Sequence, residues 1–185
     1  MMENNRSEQQ LNVKRKLMFN KEEDYYFITY NIIIILNTLQ CFDDKSKLID
    51  YTKIGYLIPI ISDSNFTSLC IRSLTSDRLP PREVKELFRD AYVKSRLKIN
   101  ILSSIIFTLE SKGIISLAKN EKRHTIDIWL NKEQVSENLL NSELFNIEVT
   151  NIQKIKKELS HLKSLKITTF LEKTYSSNGV RVWES

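Results

Sequence analysis

Hydrophobic positions between residues 97 and 130 follow a helical period and then change to alternation. The apolar face of the predicted helix, whose other faces are polar, comprises Ile101, Leu102, Ile105, Ile106 and Leu109. This pattern stops at Gly113, and glycine tolerates the left-handed backbone that ends many helices. The pattern therefore predicts a helix over residues 99–112 that ends at the glycine.

Two short apolar segments after Gly113 predict a β-hairpin over residues 114–118 and 125–130. The second segment alternates between two sets, as in a half-buried strand. The inward set is Ile126, Ile128 and Leu130, and the outward set is Thr125, Asp127 and Trp129. Residues 120–124 form a basic tip between the strands.

The residues before the 99–112 helix predict the first half of a helix-turn-helix pair. Two prolines end a loop over residues 76–81, because proline cannot continue a helix. A helix then runs from Glu83 to about Arg96. Its inward side chains are Val84, Leu87, Phe88, Ala91 and Tyr92. The order helix, turn, helix, hairpin predicts a winged helix-turn-helix segment over residues 83–130.

Helical patterns also precede this segment. A helix over residues 20–40 is nearly apolar around Ile32–Leu36, which indicates a central position, and Tyr26 and Tyr30 lie on its apolar face. A turn over residues 43–46 leads to a second helix over residues 47–61, which Pro59 should kink or end. Asp63 is the predicted cap of a short third helix through about Ser73.

Two further helices, over residues 133–145 and 151–165, are predicted after the hairpin. Residues 167–175 and 180–183 are predicted to close as a terminal hairpin, because Asn178-Gly179 is a favoured hairpin turn. The predicted fold class is mostly α (α+β), a winged-helix-like domain with additional helices at both ends. Its predicted divisions are a flexible basic tail over 1–18, a helical domain over 19–132 and a helical extension over 133–185.

Composition is that of an ordinary globular protein, with 41% hydrophobic and 28% charged residues in 185. Three glycines are too few for a sandwich or barrel with many tight turns. Cys41 and Cys70 are predicted to be buried, reduced thiols of a cytoplasmic protein, since no signal peptide is recognisable. No apolar run approaches the ~20 residues that cross a bilayer.

The basic excess is uneven. Residues 94–132 carry a net charge of +5, whereas residues 1–18 carry +2, residues 19–93 carry −2 and residues 133–185 carry zero. This distribution is compatible with nucleic-acid binding, although an ordinary solvated surface explains it equally well. The candidate nucleic-acid contacts are Lys94, Arg96, Lys98, Asn100, Lys119, Lys122, Arg123 and His124.

The outward face of the 99–112 helix is poorly suited to reading bases. Only Lys98 and Asn100 are good base readers, and Phe107 on that face indicates a protein contact. The basic helix over 151–165 either packs on the domain or lies on a partner. The candidate partner contacts are Phe107, Lys154 and Lys157. We therefore expect a protein adaptor with at most non-specific affinity for double-stranded DNA.

Motifs for catalysis, cofactors or metals are not found in the sequence. Its three isolated glycines cannot build a phosphate-binding loop. His124 and His161 are the only histidines, and neither has metal-ligand spacing to the other or to a cysteine. We expect a protein that is not an enzyme and needs no cofactor.

Three hydrophobic segments follow one another in order along the chain: Tyr30–Leu36, Leu48–Leu57 and Leu87–Tyr92, the last leading to Leu109–Ile115. Their order resembles that of the small middle component of bacterial ABC-three-component systems, which include the small subunit of Lamassu-type anti-phage complexes. The resemblance covers residues 20–175 and consists of hydrophobic patterns rather than a chemical signature. It implies a non-catalytic winged-helix subunit that joins an SMC-like ATPase to an effector, much as kleisins bind ATPase heads.

The sequence is also compatible with two other functions. A winged-helix transcription regulator would bind one short duplex with a steep salt dependence. A plasmid replication or partition factor would bind an origin duplex.

Overall fold

The computed structural model describes residues 25–75, 79–140 and 143–183. Within these ranges the chain is mostly helical with one two-stranded antiparallel sheet, so the predicted α+β class is confirmed. The helices are α1 Tyr25–Thr38, α2 Thr52–Ile61, α3 Ser64–Leu74, α4 Arg82–Leu97, α5 Ile99–Ser111, α6 Glu137–Leu140, α7 Asn146–Glu158 and α8 Ile167–Thr174. The strands are β1 Ile115–Asn120 and β2 Thr125–Leu130.

Helix α1 lies at the centre of the fold, as its sequence predicts. Residues 32–36 are fully buried, and the helix packs against α2, α5, α7 and β2. The predicted start over residues 20–24 lies outside the described residues. Tyr26 and Tyr30 were wrongly placed on the buried face; they are 70% and 37% exposed. Their phenol rings lie on the side of the helix that the core does not cover.

The prediction of a helix from residue 47 is wrong in its first turn, because α2 begins at Thr52. Leu48 instead forms an antiparallel bridge with Ile128, with N–O distances of 2.8 and 2.9 Å in the two directions. Asp50 then takes a left-handed backbone (φ 62°), which breaks any helical continuity between residues 48 and 52. A long-range backbone pairing therefore overrides the local helical pattern. The helix ends two residues after Pro59.

The predicted cap of α3 and the predicted end of α5 are both confirmed. The carboxylate of Asp63 accepts hydrogen bonds from the backbone N–H groups of Asn65 and Phe66, so it caps α3. Gly113 has φ 71°, and Ile114 N–H reaches Leu109 O at 2.9 Å while Gly113 N–H reaches Glu110 O at 2.8 Å. These two bonds are the Schellman ending that the glycine predicts for α5.

Helix α4 fills the predicted range, and the two prolines before it are not helical. Residues 76–78 of the predicted loop lie outside the described residues. Two side chains were wrongly assigned to the interior: Leu87 of α4 is 46% exposed and Ile101 of α5 is 44% exposed. The remaining predicted core positions of α5 are buried.

The hairpin is confirmed, with Ile115 opposite Leu130 and Asn120 opposite Thr125. Asp127 was wrongly placed on its outward face and is completely buried. Its carboxylate accepts hydrogen bonds from the backbone N–H of Asp50 at 3.1 Å and from the Asn120 amide at 2.9 Å. Lys47 lies 3.4 Å from it. The Leu48 segment covers this face of the hairpin, which explains the burial.

The C-terminal predictions are wrong in detail. The 133–145 helix is a 3₁₀ turn at Lys132–Gln134, the short α6 and another 3₁₀ turn at Glu143–Phe145, with residues 141–142 not described. The 151–165 helix begins earlier, at Asn146, and ends at Glu158. The terminal hairpin does not form: residues 167–174 are α8, and Gly179 (φ 74°) ends a 3₁₀ turn. A helix end uses the Asn178-Gly179 pair instead of a hairpin turn.

One hydrophobic cluster runs from Ile28 to Val180. Its aromatic part joins distant helices, because the rings of Tyr92 and Tyr175 lie 5.6 Å apart and the hydroxyl of Tyr175 donates to Tyr56 O at 2.7 Å. Helices α7 and α8 thus pack on α1–α3, and the 3₁₀ turn after α8 packs on α4, so the C-terminal elements share the core.

Apolar helices within the described ranges are too short to span a membrane singly. Helices α2 and α3 taken together have the length and composition of a membrane span, but the pair is bent by 111°.

A buried lysine ties α2 to the turn that follows α7. Lys53 is 1% exposed, and its ammonium donates to the carbonyls of Leu162, Lys163 and Leu165 at 3.0, 2.9 and 2.8 Å. Burial lowers its pKa to about 8, and the charge of Asp50 opposes this shift. Three hydrogen bonds thus satisfy a buried cation and three backbone carbonyls at once.

We predict that Lys53→Met lowers the free energy of unfolding by about 2–4 kcal/mol, because it takes the ammonium donor from the carbonyls of Leu162 and Leu165, whereas Lys163 O keeps the N–H of Ile49. Urea unfolding followed by circular dichroism measures the change. Lys45→Met is the matched control, since Lys45 is exposed, and should stay within ~0.5 kcal/mol of the parent. Equal losses in the two variants would contradict the prediction.

Candidate functional site

Helices α4 and α5 meet at a tight corner, since Lys98 is both the last cap of α4 and the first cap of α5. Leu102, Ile105, Ile106 and Leu109 are buried, which fixes which side of α5 faces outward. Asn100, Ile101, Ser104 and Phe107 are exposed on that outward side. We call this set the α5 face.

Lys98 does not reach outward from the α5 face. Its Nζ is buried, and with Lys94 it lines a crevice of about 30 Å³ between α1, α2, α4 and α5. Asn100 is exposed at the first turn and can reach a partner. Of the two predicted base readers, the structure therefore leaves only Asn100 accessible.

Large apolar side chains are exposed on the α5 face and at the end of α4. Phe107 is 48% exposed and Ile101 44%, and Leu97, at the end of α4, is 75% exposed. Exposure of Phe107 was predicted, whereas Ile101 and Leu97 were missed as surface candidates. An exposed group of large apolar side chains marks a protein contact more often than a phosphate contact.

Arg96 points to the C-terminal segment. Its Nη1 donates to Trp183 O at 3.0 Å and to the Tyr92 hydroxyl at 3.4 Å, and its guanidinium lies 6.0 Å from the centre of the Trp183 ring. The hydrogen bond with Tyr92 raises the pKa of Arg96. Arg96 is thus engaged within the fold, and Trp183, 52% exposed, was not predicted to take part.

The hairpin tip carries the remaining nucleic-acid candidates. Lys119 forms an exposed ion pair with Glu121 at 2.9 Å, which partly neutralises it. Lys122 and His124 are exposed, and His124 takes a left-handed backbone at φ 53°. Arg123 is exposed as well, although one guanidinium nitrogen donates to Ser164 O at 2.9 Å. The tip is therefore basic and accessible, but it is tied to the turn that follows α7.

Lys154 and Lys157, the other predicted partner contacts, are exposed on α7. The opposite side of α7 is buried through Ile152 and Ile155, and it packs on α1, α2 and α3. The helix therefore uses its apolar side for the core and presents its lysines to solvent. The structure places these lysines and Phe107 on different helices.

No group of three or more potential metal ligands occurs among the residues that the structure describes. Both cysteines are free and fully buried, as predicted. Burial raises the pKa of Cys41 to about 11 and that of Cys70 to about 12. Neither thiol is suited to nucleophilic chemistry near neutral pH, because the thiolate is the reactive form.

Comparisons with protein-family models, with curated proteins and with solved structures find no match. A functional proposal therefore depends on where the fold places the candidate side chains.

We predict that the folded protein does not react with a disulfide reagent such as DTNB at about pH 8, because both thiols are protonated and inaccessible. Two thiols per chain should react after unfolding in urea. Absorbance of the released thiolate measures both rates. Rapid reaction of one thiol without urea would show that Cys41 or Cys70 is reachable in the native state.

Proposed function

We propose that the chain is a non-catalytic winged-helix adaptor of a cytoplasmic, SMC/ABC-type ATPase anti-phage defence complex. In this role it bridges the ATPase heads and an effector, with at most non-specific contact to double-stranded DNA. The order of α4, α5, β1 and β2 supports the winged-helix assignment. The sequence resemblance to the middle component of ABC-three-component systems supplies the partner class.

The α5 face is the observation that carries the adaptor role. In a DNA-reading winged helix, the corresponding face projects cationic and amide side chains to base edges. Here Lys98 Nζ is buried, whereas Phe107 and Ile101 are about half exposed. An uncharged, partly apolar face matches the composition of a protein interface better than that of a base-reading surface.

We predict that Phe107→Asp reduces recovery of the SMC-like ATPase at least about tenfold. An aromatic side chain that becomes buried at the centre of an interface contributes ~2 kcal/mol or more to binding. The full chain, tagged and expressed in its native host, is purified and its partners are identified by mass spectrometry. Leu79→Asp is the matched control, since Leu79 is 79% exposed and lies in the loop before α4.

Circular dichroism checks that both variants fold. Recovery of the ATPase by the parent and by Leu79→Asp, but not by Phe107→Asp, supports the adaptor and its contact face. Absence of any SMC-like ATPase from the parent sample overturns the adaptor proposal. Unchanged recovery with Phe107→Asp overturns the assignment of the α5 face as the contact.

A sequence-specific regulator is the second candidate, because Asn100 stays exposed at the first turn of α5. If it reads a base, selection from a random duplex pool should return one motif. Asn100→Ala should then lose about 1–3 kcal/mol of discrimination at one position. Recovery of no motif, or a motif unchanged by Asn100→Ala, excludes base reading by this residue.

A further inference from the structure

The tip of the hairpin and the turn after α7 form one continuous surface, although some 40 residues separate them in sequence. Arg123 Nη1 donates to Ser164 O at 2.9 Å, and this bond spans 41 positions. On the same turn, Lys163 Nζ lies 3.5 Å from Gln40 O, next to the end of α1. Two elements that a linear reading treats separately are therefore adjacent.

Cations gather where these elements meet. The charges of Lys163, Lys53 and Lys156 each oppose the burial-driven rise in the pKa of Cys41, so all three lie within electrostatic reach of that thiol. Burial is the main cause of the lowered pKa of Lys53, and the charge of Arg123 lowers it further. The hydrogen bonds of Arg123 and Lys163 place both residues where these elements meet, and Lys156 is exposed in the last turn of α7, just before this turn.

The sequence around the turn after α7 is also basic. Residues 151–166 contain five lysines and a single acidic residue, Glu158. The zero net charge of residues 133–185 hides that excess, because acidic residues elsewhere in the segment cancel it. We call Lys122, Arg123, Lys156 and Lys163 together the wing–turn surface.

Apolar anchors are missing from the wing–turn surface. Twelve large hydrophobic side chains of the described residues are exposed, and none lies within residues 115–130 or 156–166. Protein interfaces have an apolar core, whereas sequence-independent binding to nucleic acid depends on charge alone. The composition therefore favours a phosphate backbone over an acidic protein segment.

We infer that the wing–turn surface binds the phosphate backbone of double-stranded DNA without reading its sequence. This inference deepens the DNA contact allowed in the proposed function and rests on it for its biological context. Lys122 and Arg123 approach the backbone from the hairpin tip, and Lys156 and Lys163 approach it from α7 and the following turn. The α5 face contributes no residue to this surface.

The test compares two double variants of the purified full chain. Lys122→Gln with Lys156→Gln removes two exposed cations of the surface. Lys112→Gln with Lys173→Gln removes two exposed cations elsewhere, at the end of α5 and in α8. Both pairs change the net charge equally, so a difference between them reports position rather than total charge.

Fluorescence anisotropy measures binding to a random-sequence duplex of about 25 base pairs between about 50 and 200 mM salt. The surface pair should weaken affinity about tenfold and reduce the slope of log K against log salt by about two, because each phosphate contact contributes close to one. The control pair should change affinity less than about twofold. Polyglutamate should displace the duplex only at a higher concentration of negative charge than a competing duplex does, because DNA carries a charge about every 1.7 Å along its axis.

Equal losses of affinity in the two double variants would show that binding depends on total net charge and not on position, and would overturn the inference. An absence of duplex binding by the parent would also overturn it, as would displacement by polyglutamate at a lower concentration of negative charge than a competing duplex requires, which would indicate an acidic protein partner. Each of these results leaves the recovery of the ATPase through Phe107 unaffected. Failure of this inference is therefore distinguishable from failure of the adaptor proposal.

Discussion

The ammonium of Lys53 and its three carbonyl acceptors fix the turn after α7, and the accessible surfaces of the hairpin depend on that turn. Lys53 is buried at the start of α2, so its bonds join the N-terminal helices to residues 162–165. Ile49 N–H also donates to Lys163 O at 2.9 Å, which adds a backbone tie beside it. With the turn held there, Ser164 can accept from Arg123 and orient the hairpin tip. A hydrophobic core could hold these helices loosely, whereas donors with defined geometry hold them in one register.

Elements with local causes could be predicted from the sequence, and elements with distant causes could not. Asp63 caps α3 and Gly113 ends α5 because each acts on backbone groups within five residues. Leu48 has the spacing of a helical residue but pairs with Ile128, 80 positions away. The sequence around Leu48 does not indicate this partner. The burial of Asp127 has the same origin, because the segment that covers it lies far away in sequence.

The candidate site follows the same division. Exposure of Phe107 and Asn100 could be predicted from the helical period, since it depends only on which side of α5 faces the core. The burial of Lys98 Nζ could not, because the crevice that receives it involves α1 and α2. The lysines around the turn after α7 did leave a signal in the sequence, which predicts a basic helix over residues 151–165. Their position beside the hairpin tip could not be predicted, because it depends on the hydrogen bond between Arg123 and Ser164, 41 positions apart.

The aromatic cluster has a consequence for the order of events during synthesis. Tyr92 of α4 is fully buried, yet part of its cover comes from Tyr175 and from Trp183, whose ring lies 5.7 Å away. A ribosome delivers α1 to α5 well before those two side chains emerge. Until then the phenol ring of Tyr92 faces water, and the nascent chain presents an unfinished apolar surface to chaperones or to other chains. The cover of Tyr92 can therefore be completed only after translation has passed residue 183.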